Sequence, residues 1–120
     1  MGATVLVVDD HPSFRRFARR LLEAAGFSVV DEAGDGTSAL AAVHELRPDV
    51  VLLDVLLPDT TGFELAELLS SDPLGPLVVL TSSRSASDFS ASLAGSSALG
   101  FIAKRDLSAP ALVALLEGAA

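Results

Sequence analysis

The chain has 120 residues, half of them hydrophobic, with a mean hydropathy of +0.52. That suits one domain with a true core and excludes a disordered segment. Sixteen acidic and eight basic residues leave a net charge of −8, which argues against direct nucleic-acid binding. No apolar stretch is long enough for a membrane helix, and the lack of cysteine excludes disulfides and thiolate metal sites.

Met1-Gly2-Ala3 leads directly into a first strand over residues 4–8, without the basic start and cleavage region of a signal peptide, so a cytoplasmic protein is expected. That strand ends in Asp9-Asp10. A helix follows over residues 13–25, where Phe14, Phe17, Ala18, Leu21, Leu22 and Ala25 keep helical spacing. Arg15, Arg16, Arg19 and Arg20 lie between them and are read as a solvated basic face. Gly26 is placed to cap the helix C-terminus. A second strand covers 28–32, and Asp35-Gly36-Thr37 opens a helix over 37–46 that Arg47-Pro48 ends.

Val50-Val51-Leu52-Leu53 reads as a strand buried on both faces, and it ends in Asp54. A helix is expected over 61–71, and Pro73, Gly75 and Pro76 separate it from a strand over 77–81. Residues 81–97 contain eight serines, so the helix expected over 87–94 should be weak, because serine hydroxyls compete for backbone hydrogen bonds. A strand over 100–103 ends in Lys104, and a last helix covers 108–117. Five alternations of strand and helix predict an α/β fold with a parallel sheet and helices on both faces.

Ligands in such folds sit beyond the carboxyl ends of the strands. Those ends carry Asp9, Asp10, Asp54, the hydroxyls of Thr81, Ser82 and Ser83, and Lys104. Three carboxylates held close repel one another unless a cation joins them. Oxygen-only donors favour Mg²⁺ or Mn²⁺ over Zn²⁺. Lys104 supplies a point charge for phosphate, and a carboxylate can accept a phosphoryl group as an acyl phosphate. Taken singly, each residue is ordinary: Asp9-Asp10 could cap the first helix, and Lys104 could be a solvated lysine. Their joint arrival at one sheet edge points to phosphoryl transfer.

In combination, Leu6-Val7-Val8-Asp9-Asp10-His11-Pro12, Val51-Leu52-Leu53-Asp54-Val55-Leu56-Leu57-Pro58, Thr61-Gly62-Phe63-Glu64 and Gly100-Phe101-Ile102-Ala103-Lys104 resemble the response-regulator receiver domains of the CheY-like family, in the form common to LuxR/NarL-type regulators. The resemblance covers nearly the whole chain, so residues 1–120 are expected to form one receiver domain. It implies a three-layer (βα)5 fold with strand order 2-1-3-4-5. It implies Asp54 as phosphoacceptor, Asp10 as direct metal ligand, Asp9 acting mainly through water, and the backbone carbonyl of Leu56 as a further ligand of Mg²⁺ or Mn²⁺.

By the same resemblance, Lys104 pairs with the acceptor and then with its phosphoryl group, and Phe101 is the switch aromatic. The switch hydroxyl is Ser82, with Thr81 as the alternative; the 22-residue distance from Ser82 to Lys104 favours the former. The implied partners are a sensor histidine kinase or phosphotransfer protein, with room for a homodimer through the face of helix 4, strand 5 and helix 5. The implied role is signalling without catalytic turnover. A phosphorylation-independent pseudo-receiver is the main rival. A haloacid-dehalogenase-like phosphotransferase is a weaker one, since it needs a second acid where Leu56 stands. Phe101 replaces the tyrosine of many relatives, and Arg105 replaces a proline. His11 is read as positioning its loop, not as a ligand or phosphodonor, and His44 as a surface or boundary residue.

Overall fold

The computed structural model describes residues 2–118. Five parallel strands, β1 (Thr4–Val8), β2 (Ser28–Ala33), β3 (Val50–Asp54), β4 (Leu77–Ser82) and β5 (Gly100–Ala103), form one sheet in the order β2-β1-β3-β4-β5. The helices are α1 (Pro12–Ala24), α2 (Gly36–Leu46), α3 (Gly62–Ser70), α4 (Ser90–Ala94) and α5 (Ala109–Gly118). This is the doubly wound α/β architecture expected from the alternation of elements.

Alternation along the strands sorts the core into two layers. Val5, Val7, Val50, Leu52, Val79 and Ile102 pack beneath Ala18 and Leu22 of α1 and Leu112 of α5. Leu6, Val8, Val51, Leu53, Val78 and Leu80 pack against α2 and α3 on the other face. Both faces of the central strands are therefore covered, which is why their sequences are continuously apolar.

The helix ends follow local chemistry. Asp35 caps α2 by accepting from Ser38 N at 2.8 Å, and Thr61 caps α3 by accepting from Glu64 N at 3.2 Å. Thr61, read from sequence as the first residue of a helix, is thus its cap. Arg47 ends α2 in the left-handed region at φ 48°, ahead of Pro48, and Gly26 takes φ 94° just beyond α1. The expected helix over 87–94 splits into a 3₁₀ turn, Ala86–Phe89, and the single-turn α4, none of whose residues is buried. Serine-rich sequence and the missing apolar stripe account for the shortening.

Two features hold the carboxyl edge of the sheet in place. Arg15 of α1 donates to Glu32 of β2 at 3.1 Å and to the Asp9 carbonyl at 2.6 Å, and Arg19 donates to the same Glu32 at 2.7 Å. The Arg19 hydrogen bond holds the Glu32 carboxyl below its ordinary pKa. Half of the basic face expected to be solvated is thus a clamp from α1 to the edge strand, while Arg16 and Arg20 remain exposed. At the start of α3, Gly62 donates to the Val55 carbonyl at 2.7 Å. A Cβ there would lie 2.6 Å from the Asp54 carbonyl oxygen and 2.9 Å from the Val55 Cα.

Gly62→Ala should therefore lower the unfolding free energy by about 1–3 kcal/mol, the usual range for overpacking. Gly95, whose added Cβ would meet only the Ala91 carbonyl at 3.9 Å, should tolerate alanine. Urea unfolding of both variants checks the contrast; equal stabilities would remove the steric argument.

Candidate functional site: an acidic hollow with one lysine

Register brings the chemistry together. Val8 pairs with Leu53, so Asp9 and Asp54 follow on adjacent strands, and Asp54 pairs in turn with Thr81 and Thr81 with Ile102. Asp9 is fully buried, Asp54 is 4% exposed, and Asp10 projects into solvent. Ligand atoms of Asp9, Asp10, His11 and Asp54 all lie within 4.8 Å of one another. The three carboxylates expected at one edge do share one hollow.

Lys104 enters from β5, the opposite side. Its Nζ lies 2.6 Å from Asp9 Oδ2 and 3.5 Å from Asp54 Oδ2. It also sits 4.5 Å from the centre of the Phe14 ring, a cation–π contact that shields the pair from water. The contact with Asp9 is a close ion pair that sets an ammonium directly against the buried Asp9 Oδ2. Lys104 thus bridges the two acids, closer to Asp9 and donating to Asp54, an arrangement that sequence alone did not indicate.

The balance of charge falls on Asp54. Burial and the nearby Asp9 carboxylate push its carboxyl up to about 6, against the opposing pull of Lys104 and of the Leu56 N–H at 3.3 Å. Three carboxylates facing one ammonium leave negative charge to be neutralised. The donor set suits a hard divalent cation, with Asp9, Asp10 and Asp54 supplying oxygens that could hold it.

The hydroxyls divide by face. Thr81 shares the Asp54 face of the sheet, and its fully buried Oγ1 has no hydrogen-bond partner. Ser82 is one residue further, on the face of Leu80, whose register partner is Phe101. Its Oγ accepts from Arg84 N at 3.1 Å. Phe101 is half-buried and touches Phe89 with ring centres 6.1 Å apart, and Phe89 touches Phe63 at 5.7 Å. His44 is exposed on α2 as expected.

His11 packs against the acidic pair, in keeping with the loop-positioning role read from sequence. Its Nδ1 lies 3.1 Å from Asp9 Oδ1 and 3.1 Å from Asp10 Oδ1, and its backbone N–H donates to Asp9 Oδ1 at 2.8 Å. The available signal was its place directly after the acidic pair, before Pro12 at the first turn of α1.

Comparisons with known proteins agree with this fold. The profile of the response regulator receiver domain matches residues 5–117. The DNA-binding response regulator MtrA of Mycolicibacterium smegmatis is 44% identical over 81 residues, which is 68% of this chain and 35% of MtrA. The curated relatives are longer: the chain spans 35% to 49% of their length in the two alignments compared. Among solved structures, the signal receiver domain of NarL from Mycobacterium tuberculosis superposes with a TM-score of 0.86 at 34% identity, covering 98% of this chain and 96% of that one. Chemotaxis response regulator CheY4 of Vibrio cholerae gives 0.81 at 27% identity, covering 98% of both chains. A family profile over nearly the full length, together with the strand order β2-β1-β3-β4-β5 and the acidic hollow at its carboxyl edge, makes this chain a member of the response regulator receiver domain family.

Proposed function

We propose that this chain works as a phosphoryl-accepting switch in a two-component system, with Asp54 as the acceptor. The observation that carries the reading is a buried aspartate set between a second buried carboxylate and an ammonium at one sheet edge. The donor is a phosphohistidine on a sensor kinase or phosphotransfer protein. An Asp54 oxygen attacks the phosphorus, the P–N bond breaks, and the imidazole leaves with the electron pair. Asp9, Asp10, Asp54 and the Leu56 carbonyl would hold Mg²⁺ or Mn²⁺, which when bound supplies charge neutralisation for the phosphoryl oxygens.

Lys104 gives the aspartyl phosphate a cation within reach, moving its charge from the carboxylates to the new phosphoryl oxygens. Ser82 is the favoured switch hydroxyl, because it shares its face with Phe101; Thr81 faces the Asp54 side. Movement of Ser82 toward the phosphoryl group frees space for Phe101 and shifts the surface of α4, β5 and α5. An open groove of about 560 Å³ runs along that surface, lined by Ser85, Phe101, Arg105, Ala111 and Leu115 among others. It is a fitting surface for a downstream partner or a second copy of the chain. The role is signalling, with one phosphoryl group carried per cycle and no turnover of a small substrate. Any nucleic-acid contact, such as the name of MtrA states for that protein, would belong to a segment outside this domain.

Asp54→Asn should abolish labelling by acetyl phosphate in Mg²⁺, read as loss of the one-phosphoryl mass increment, while the far-UV circular dichroism stays unchanged. Labelling at the full level would place the acceptor elsewhere and favour a different function.

The raised carboxyl of Asp54 also has a consequence for stability. Between the ordinary value of 3.8 and about 6, the folded chain holds a proton at Asp54 that the unfolded chain has lost. This contribution to stability is therefore complete at the acid end and is lost as pH rises through about 6. In metal-free buffer, Asp54→Asn should raise the melting temperature little at the acid end of that window and clearly above it. Mg²⁺ should narrow the gap by stabilising only the wild type. A melting-temperature difference independent of pH would show that Asp54 is not under this strain.

A further inference from the structure

His11 presents one ring nitrogen to two carboxylate oxygens at the mouth of the hollow. Nδ1 is 3.1 Å from Asp9 Oδ1 and 3.1 Å from Asp10 Oδ1. Two ligands about 2.1 Å from an octahedral ion and at right angles to each other lie about 3 Å apart. In the metal-free protein this contact is a hydrogen bond to Asp9, and the same spacing would suit neighbouring ligands on one ion. Two further facts support a ligand here. The imidazole is 66% exposed, so it can turn without unpacking the core. Its backbone is held by the bond from His11 N to Asp9 Oδ1 at 2.8 Å, which keeps the ring beside the acids.

We propose that His11 is a direct metal ligand through Nδ1 and gives this site a preference for first-row transition ions that Mg²⁺ does not share. The assignment rests on the metal-site reading above and concerns which ion the site favours. An oxygen-only set suits Mg²⁺ and Mn²⁺, whereas imidazole nitrogen adds affinity for Ni²⁺, Co²⁺ and Zn²⁺. Mg²⁺ dehydrates reluctantly and gains little from a nitrogen donor. A chain with both donor types therefore takes Mg²⁺ through Asp10 and its neighbours, and takes a transition ion through the same oxygens plus His11. The ring that positions the loop in the metal-free protein becomes part of the coordination shell when such an ion arrives.

The test is isothermal titration of the untagged chain with MgCl₂ and with NiCl₂, using His11→Ala, His44→Ala and Asp10→Asn. His11→Ala should weaken Ni²⁺ binding at least about tenfold and change Mg²⁺ binding by less than about twofold. His44→Ala should change neither. Paramagnetic broadening by Ni²⁺ should reach the ring protons of His11 in the wild type. Unchanged Ni²⁺ affinity in His11→Ala overturns the proposal, and so does an equal loss for both ions, which would mark His11 as a support for the loop. Failure of the underlying reading looks different: the wild type would not bind Mg²⁺, or Asp10→Asn would bind both ions as the wild type does.

Discussion

One ammonium set against buried carboxylates governs the rest of this structure. Lys104 lies 2.6 Å from Asp9 and 3.5 Å from Asp54, and both acids are removed from water. Two like charges 4 Å apart near a protein surface repel by roughly 4 kcal/mol. Without the lysine, one of the two acids would have to take up a proton or a cation. With it, the arrangement holds but stays short of neutral, and the shortfall is what makes the hollow receptive to a cation. Stability and receptivity thus come from the same imbalance.

The surrounding scaffold keeps that imbalance in one geometry. Arg15 grips the Asp9 carbonyl from α1 while pairing with Glu32 of β2, so the acid-bearing loop is tied to two elements. The loop after β3 is fixed in another way. Asp59 accepts from the backbone N–H groups of Gly36 and Thr37 at 2.8 and 3.1 Å, joining this loop to the N-terminus of α2. Those bonds hold the Asp59 carboxyl below its usual range. Close approach of Gly62 to the Asp54 carbonyl completes the fixing of Asp54.

Much of this was legible in the chain because buried parallel strands leave a blunt signal. Four apolar residues from Val50 to Leu53 with a carboxylate behind them admit few other readings, and the same holds for Val5 to Val8 before Asp9. Strand order then converts positions in sequence into neighbours at an edge, which is why three acids and a lysine could be grouped before their distances were known. The remainder depends on side-chain directions that one-dimensional spacing does not encode. Thr81 and Ser82 are adjacent in sequence yet lie on opposite faces, and only the pairing of Leu80 with Phe101 sorts them. The position of Lys104 between Asp9 and Asp54 depends on where a long flexible stem comes to rest against Phe14. The arginines of α1 looked like a solvated stripe because Glu32, their partner, lies on another element.

The brevity of α4 carries a last consequence. A single turn of five residues, with none buried, has too few internal bonds to behave as a rigid rod. It is anchored instead at its margins: Phe89 rests between Phe63 and Phe101, and the Ser97 amide and hydroxyl both bond to Glu67 of α3 at 2.8 Å. Rearrangement of this side of the molecule would therefore involve melting and re-forming one coil between these two anchors, of which the Phe89 side would follow Phe101. Its energetic scale is that of local fraying, far below that of tilting a long helix across the sheet.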